Sequence, residues 1–178
     1  MILTSKAILR AWKAKEITID PFDTRLLNPN SYNYRLSDEI IEIQSSKFGL
    51  LHSSKRSKIA QNGFVLKPNR LYLASTFEII GSHKYVVTLL GRSSIGRLGL
   101  FLNITADLGH TGAISQWTLE LEVVQPLRVY PYMKIGQVAF WEQFGDIQKY
   151  NGRYQNDFGP RENKDSSLLH EEHNTRTK

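Results

Sequence analysis

Nine consecutive residues, Gly91-Arg92-Ser93-Ser94-Ile95-Gly96-Arg97-Leu98-Gly99, carry two guanidinium groups, two hydroxyls and three glycines. Arginine presents a planar fork of donors that suits phosphate oxygens. Serine hydroxyls and backbone N–H groups at glycine-rich turns add neutral donors. The run reads as a polyphosphate cradle, although a surface loop with incidental arginines has the same composition. It is not a Walker A loop, because GxxxxGK[ST] is absent. A second stretch is Trp117-Thr118-Leu119-Glu120-Leu121-Glu122. Period-two alternation puts Trp117, Leu119, Leu121 and Val123 on one face and Thr118, Glu120 and Glu122 on the other. A mid-strand carboxylate beside apolar neighbours loses water, which raises its pKa toward the range of a general acid or base. A Glu120 that simply faces solvent or pairs with a strand neighbour would do none of this. In Asn103-Ile104-Thr105-Ala106-Asp107 the same alternation groups Asn103, Thr105 and Asp107. The histidines, at 52, 83, 110, 170 and 173, show no metal-ligand spacing, and His170-Glu171-Glu172-His173 is not HExxH.

The elements that must hold these residues are mostly strands. One helix is expected after Thr4 or Ser5, with Ile8, Leu9, Ala11 and Trp12 as its apolar face, ending near Lys15. Asp20-Pro21 and Asn28-Pro29-Asn30-Ser31 are turn clusters. Tyr32 to Ile43 reads as extended, and the polar residues 44–63 as a long loop or hairpin excursion. From Phe64 onward, β-branched and aromatic runs recur at 70–80, 84–90, 98–105, 116–124, 127–130 and 135–142. The expectation is an all-β domain with a minor helix, laid out as a sandwich, jelly roll or barrel. Residues 161–178 hold only Leu168 and Leu169 as large apolar groups and read as a mobile tail.

Composition limits the chemistry. The 178 residues contain no cysteine, which removes thiol nucleophiles, disulfides and every zinc site that needs a thiolate. Apolar residues make up 40%, enough for a core in a chain of this length. No apolar run reaches a membrane span, and the N-terminus lacks a secretory layout, so a soluble cytoplasmic protein is expected. The 23 basic against 17 acidic residues give +6, which suits an anionic partner. The densest basic run, Lys55-Arg56-Ser57-Lys58, has no interleaved aromatics and reads as solvated loop, so neither nucleic acid nor a membrane is expected as a partner.

Taken together, the motifs resemble those of the dCTP deaminase family in the dUTPase-like superfamily. They are Gly91 to Leu100, Thr105-Ala106, Thr118-Leu-Glu120-Leu, Tyr130-Pro-Tyr-Met-Lys-Ile-Gly-Gln137 and Lys149-Tyr-Asn-Gly-Arg-Tyr-Gln155, with Ser31-Tyr-Asn-Tyr-Arg-Leu36 near the start. The likeness spans roughly residues 2–160, expected as one domain whose segment near 149–160 closes over the nucleotide. The resemblance implies a homotrimer of distorted β-barrel subunits with active sites between them. It implies catalytic roles for Glu120, Ser93, Arg97 and Ala106, the last through its backbone carbonyl. It implies substrate binding by Arg92, Ser93, Ser94, Ile95, Gly96, Arg97, His110, Thr118, Leu119, Tyr150, Arg153 and Asp157. Magnesium would arrive with the triphosphate, and zinc would be absent.

Several positions depart from the family pattern. His110 stands where an aspartate is usual near the deoxyribose. Members that also release pyrophosphate need that aspartate, so dUTP rather than a further hydrolysis product is expected. Arg153 replaces a lysine, Asp157 a glutamine and Asn33 an aspartate. The expected reaction is hydrolysis of dCTP to dUTP and ammonia, with Glu120 activating the water. The competing readings are dUTP pyrophosphatase, deamination of another pyrimidine nucleotide, and a nucleotide-binding paralogue without turnover.

Overall fold

The computed structural model describes residues 1–45, 52–103, 106–152 and 158–163. Helix α1 (Ser5–Lys13) buries Ile8 and Ala11 and half-buries Leu9 and Trp12. Thr4 is its N-cap residue, but its side chain makes no capping bond. After it come β1 (Ile17–Asp20), β2 (Leu27–Asn28), β3 (Ser31–Ser45), β4 (His52–Lys58), β5 (Phe64–Leu66), β6 (Leu71–Thr76), β7 (Ile79–Ser82) and β8 (Val86–Gly91). A single helical turn, α2 (Ser93–Gly96), precedes β9 (Leu100–Leu102), β10 (Leu108–Gly109), β11 (Ile114–Ser115), β12 (Thr118–Val123), β13 (Leu127–Val129) and β14 (Lys134–Trp141). No helix among the described residues is long and apolar enough to cross a membrane.

The main sheet runs β10-β8-β14-β3-β6-β12-β9, with β2 and β4 also paired to β3. Strands β8 and β9 lie near opposite ends of that order, yet only residues 92–99 join them, and the two strands meet in space. A connection that short forces the sheet to curl on itself into a half-barrel. Smaller sheets, β1-β7-β11 and β13-β5, complete the mostly β architecture. Of residues 44–63, expected as a loop or hairpin excursion, the described part holds β4, which pairs antiparallel with β3 from Glu39↔Lys58 to Ser45↔His52, while 46–51 lie outside the described residues.

The concave side is filled by Tyr32, Tyr34, Leu36, Ile40, Tyr72, Leu119, Leu121, Val138 and Phe140, all essentially inaccessible. Each large apolar side chain so buried contributes roughly 1.5–3 kcal/mol. The Tyr34 ring lies against Gly136 of β14, where any side chain would collide with it. That close approach explains a glycine in mid-strand. Tyr34 donates its hydroxyl to the Leu90 carbonyl at 3.3 Å, tying β3 to the strand that leads into α2.

One ion pair sits deep in this frame. Glu78 has no exposed surface and accepts from the Arg35 side chain at 2.6 Å and from the Arg35 backbone at 2.8 Å. Burial raises the Glu78 pKa, and the bonds from Arg35 oppose that rise. The Arg35 guanidinium also covers the Phe77 ring at 4.7 Å.

Candidate active site

The residues singled out for chemistry fall into two groups joined by β9. The first group hangs from the end of β8. Arg92 is extended and half-buried, and its Nη1 donates to the Lys134 carbonyl at 3.1 Å. Gln137 of β14 donates to the Gly91 carbonyl at 3.1 Å and accepts from the buried Ser31 hydroxyl at 2.7 Å. The strand end that presents Arg92 is therefore braced from two neighbours. Ser93, Ser94 and Arg97 are exposed, and Gly96 is half-buried. The Ile95 side chain is buried and anchors the turn to the core, which leaves only its backbone to face a ligand. Gly99, at φ +84, then turns the chain into β9 with its Cα edge against Val124. A left-handed conformation here suits glycine and few other residues.

The second group lies on β12. As alternation predicts, Leu119, Leu121 and Val123 are buried, while Thr118 and Glu120 stand half-buried on the outward face. The Leu119 side chain is thus part of the core with no exposed surface, which leaves only its backbone for the contact the resemblance implies. Glu120 is held from the adjacent chain. Its backbone N–H donates to Asn103 Oδ1 at 3.0 Å, and the Asn103 N–H donates to the Glu120 carbonyl at 3.1 Å. Asn103 is buried and left-handed, with φ 43. Asparagine tolerates that conformation better than most side chains. Alternation marked Asn103 as one of three polar residues on a strand face. The signal for its real place was its residue type just where β9 must stop.

Within one chain the two groups are linked along β9. Leu100 of β9 pairs with Val123, three residues from Glu120 along β12, a span of about 10 Å. Arg97 lies three residues before Leu100. Among the described residues no ion pair joins Glu120 to Arg92 or Arg97.

The remaining candidates are scattered around these groups. Ala106 is exposed just after Thr105, which lies outside the described residues. His110 is exposed and stacks on Tyr150, with ring centroids 5.5 Å apart and planes 16° apart. The Tyr150 N–H donates to the Thr111 carbonyl at 2.8 Å, so the chain beyond β14 is docked beside His110. Arg153, Asp157 and the stretch from 164 to 178, which includes His170 and His173, lie outside the described residues. Among the described residues no three His, Asp or Glu side chains are grouped to hold a metal ion. The donors around Arg92–Arg97 are guanidinium and hydroxyl groups without a carboxylate, which fits phosphate oxygens better than a cation.

Comparison with known proteins gives this arrangement a context. The family model described as dCTP deaminase-like matches residues 2–143. A protein of Hathewaya histolytica named "dCTP deaminase, dUMP-forming" is 43% identical over 162 residues, 89% of this chain and 94% of its own length. A protein of Rhodopirellula baltica named "dCTP deaminase" is 42% identical over 177 residues, 97% of this chain and 86% of its own. The fold is similar to that of the solved 2'-deoxycytidine 5'-triphosphate deaminase of Agrobacterium tumefaciens, with a TM-score of 0.63 at 19% identity. That match covers 78% of this chain and 47% of the solved one, so the chain spans about half of its length.

Proposed function

The chain belongs to the dCTP deaminase-like family, and from that premise we propose that it removes the 4-amino group of dCTP by hydrolysis. The observation that carries the reading is Glu120. It stands on the outward face of β12 with its backbone clamped by Asn103, beside the Thr118 hydroxyl. Through β9 it is one short connection from a cluster of guanidinium and hydroxyl groups suited to a triphosphate.

In this mechanism water adds to C4 of the cytosine ring as Glu120 takes its proton. Glu120 gives that proton to N3, then takes the proton of the new C4 hydroxyl and passes it to the departing amine as the C4–N bond breaks, so that dCTP and water give dUTP and ammonia. Ser93 and the Ala106 carbonyl position the water, and Arg97 offsets charge that develops nearby. Arg92 and Ser94 hold phosphate oxygens. A magnesium ion, carried on those oxygens, would neutralise part of the triphosphate charge. The cytidine deaminases that use zinc hold it with two or three cysteine thiolates, which a chain without cysteine cannot supply.

The resemblance implies a site completed between copies, with residues from more than one chain around the nucleotide. We therefore read the working protein as the homotrimer that the resemblance implies.

The product divides the relatives. The Hathewaya protein is named dUMP-forming, and the Rhodopirellula protein, at nearly the same identity, is not. The dUMP-forming name conflicts with dUTP as the end product expected from His110, and it favours a second reading in which pyrophosphate also leaves.

Parallel incubations with dCTP and with dUTP, each with magnesium, separate these readings, with ammonia and pyrophosphate assayed independently. From dCTP, ammonia alone supports dUTP as product, and equal amounts of both support dUMP. Pyrophosphate without ammonia, from dUTP, would identify a pyrophosphatase. Tight dCTP binding with neither product would identify a non-catalytic paralogue, and either of the last two results overturns the proposal.

A further inference from the structure

The basic run Lys55-Arg56-Ser57-Lys58 reads in the sequence as solvated loop, but Arg56 is placed for a specific task. It lies on β4, opposite Ile41 of β3. Its Nη1 donates to Glu39 Oε2 at 2.9 Å, and its Nη2 donates to the Pro160 carbonyl at 3.1 Å, a partner 104 residues away. Two more bonds hold the same segment. The Gly159 N–H donates to Gln116 Oε1 at 2.9 Å, and the Arg161 N–H donates to the Thr118 hydroxyl at 3.1 Å.

These contacts lay residues 158–161 across the outward face of the sheet. Ser75 of β6 pairs with Thr118, and Leu73 pairs with Glu120. Directly paired residues share a face, so all four side chains belong to the outward row. Yet Ser75 and Leu73 are buried there, and so is Pro160. The C-terminal segment thus forms a wall beside the half-buried Glu120. Glu39, itself partly buried, fixes the guanidinium that fixes the wall.

We infer that Arg56 is a positioning residue for the deamination proposed above: it holds the Pro160 carbonyl, and so seats residues 158–161 next to Thr118 and Glu120. It touches no substrate atom itself. Its effect falls on how well the nucleotide is enclosed, so it is expected in KM more than in kcat. The inference rests on the proposed function for its kinetic arm but not for its anchoring arm.

The test uses the full chain and the variants Arg56→Ala, Arg56→Lys and Gln116→Ala, with two readouts. The first is amide hydrogen exchange at Gly159 and Arg161, whose N–H groups are bonded to Gln116 and Thr118. Arg56→Ala should speed exchange at both by roughly tenfold, the loss expected for one hydrogen bond to a charged group. Arg56→Lys should restore part of the protection, because one ammonium donor can still reach a carbonyl. The second readout is ammonia release from dCTP. KM should rise roughly three- to tenfold in Arg56→Ala and in Gln116→Ala, with kcat changed less than twofold. Unchanged exchange in Arg56→Ala overturns the anchoring. Faster exchange with unchanged KM overturns the positioning role. A parent protein that releases no ammonia sinks the functional reading instead, and the exchange measurement still decides the anchoring.

Discussion

Asn103 and Glu120 exchange two hydrogen bonds across the edge of the main sheet. The Glu120 N–H donates to the Asn103 side chain, and the Asn103 N–H donates to the Glu120 carbonyl. β9 ends at Leu102, so a side-chain oxygen takes over where the backbone ladder stops. The backbone beneath Glu120 is therefore fixed although the side chain is half open. Asn103→Ala removes the acceptor and leaves the Glu120 N–H without it. Such a loss costs about 1–3 kcal/mol. The expected result is a lower unfolding midpoint in urea and at least a tenfold fall in kcat. Wild-type ammonia release by Asn103→Ala would show that this clamp does not position Glu120.

Glu120→Gln keeps the size and polarity of the side chain but cannot accept the water proton. Ammonia release from dCTP should fall by at least 10²-fold, the low end for loss of general acid–base catalysis. The dissociation constant for dCTP, measured by calorimetry, should change little. Turnover at the parent rate would remove Glu120 from the mechanism.

Arg92→Ala is expected to separate phosphate from base recognition. Deoxycytidine affinity should stay near the parent value, and dCTP affinity should fall by roughly tenfold or more, as for one charge-assisted phosphate contact. Equal weakening of both ligands would mean that Arg92 shapes the loop, through its bond to Lys134, without serving the phosphates.

Leu119→Ala should act on stability. The side chain is fully enclosed in the core, and such truncations cost about 2–5 kcal/mol. In urea the midpoint should drop, while KM for dCTP measured well below that midpoint holds. A raised KM without loss of stability would show that the Leu119 side chain serves the substrate and not the core.

Asp23 links stability to acid. The Arg25 side chain and backbone N–H both donate to its carboxylate and hold its pKa near 2, below the ordinary 3.8. The folded chain therefore binds this proton more weakly than the unfolded chain does. The stabilisation is complete above about pH 4 and disappears as pH falls toward 2. Asp23→Asn should flatten the fall in urea midpoint between pH 4 and 2, although Glu16, also lowered by its bond to Lys84, keeps part of the slope. An unchanged profile would contradict this assignment.

Much of the fold was legible because its code is local. Strand periodicity separated Leu119, Leu121 and Val123 from Thr118 and Glu120, and the structure keeps that division. The apolar spacing of Ile8 and Ala11 located α1. Residue chemistry alone marked Arg92, Ser93, Ser94 and Arg97, and the structure presents Ser93, Ser94 and Arg97 at the surface. Composition did not separate side chains that line a site from those that support it. Ile95 and Leu119 sit inside functional motifs, yet both point into the core.

The sequence by itself determined the strand content, the two faces of β12, the guanidinium–hydroxyl turn and the absence of thiolate chemistry. Each of these depends on residue type and on spacing of a few positions. Tertiary structure alone decided that Asn103 clamps Glu120 from 17 residues away and that Arg56 reaches Pro160 across 104. Those contacts follow from strand order and from the curl that a short β8–β9 link imposes. A two-residue period records which face a side chain takes, but it carries no record of which distant strand will lie beside it.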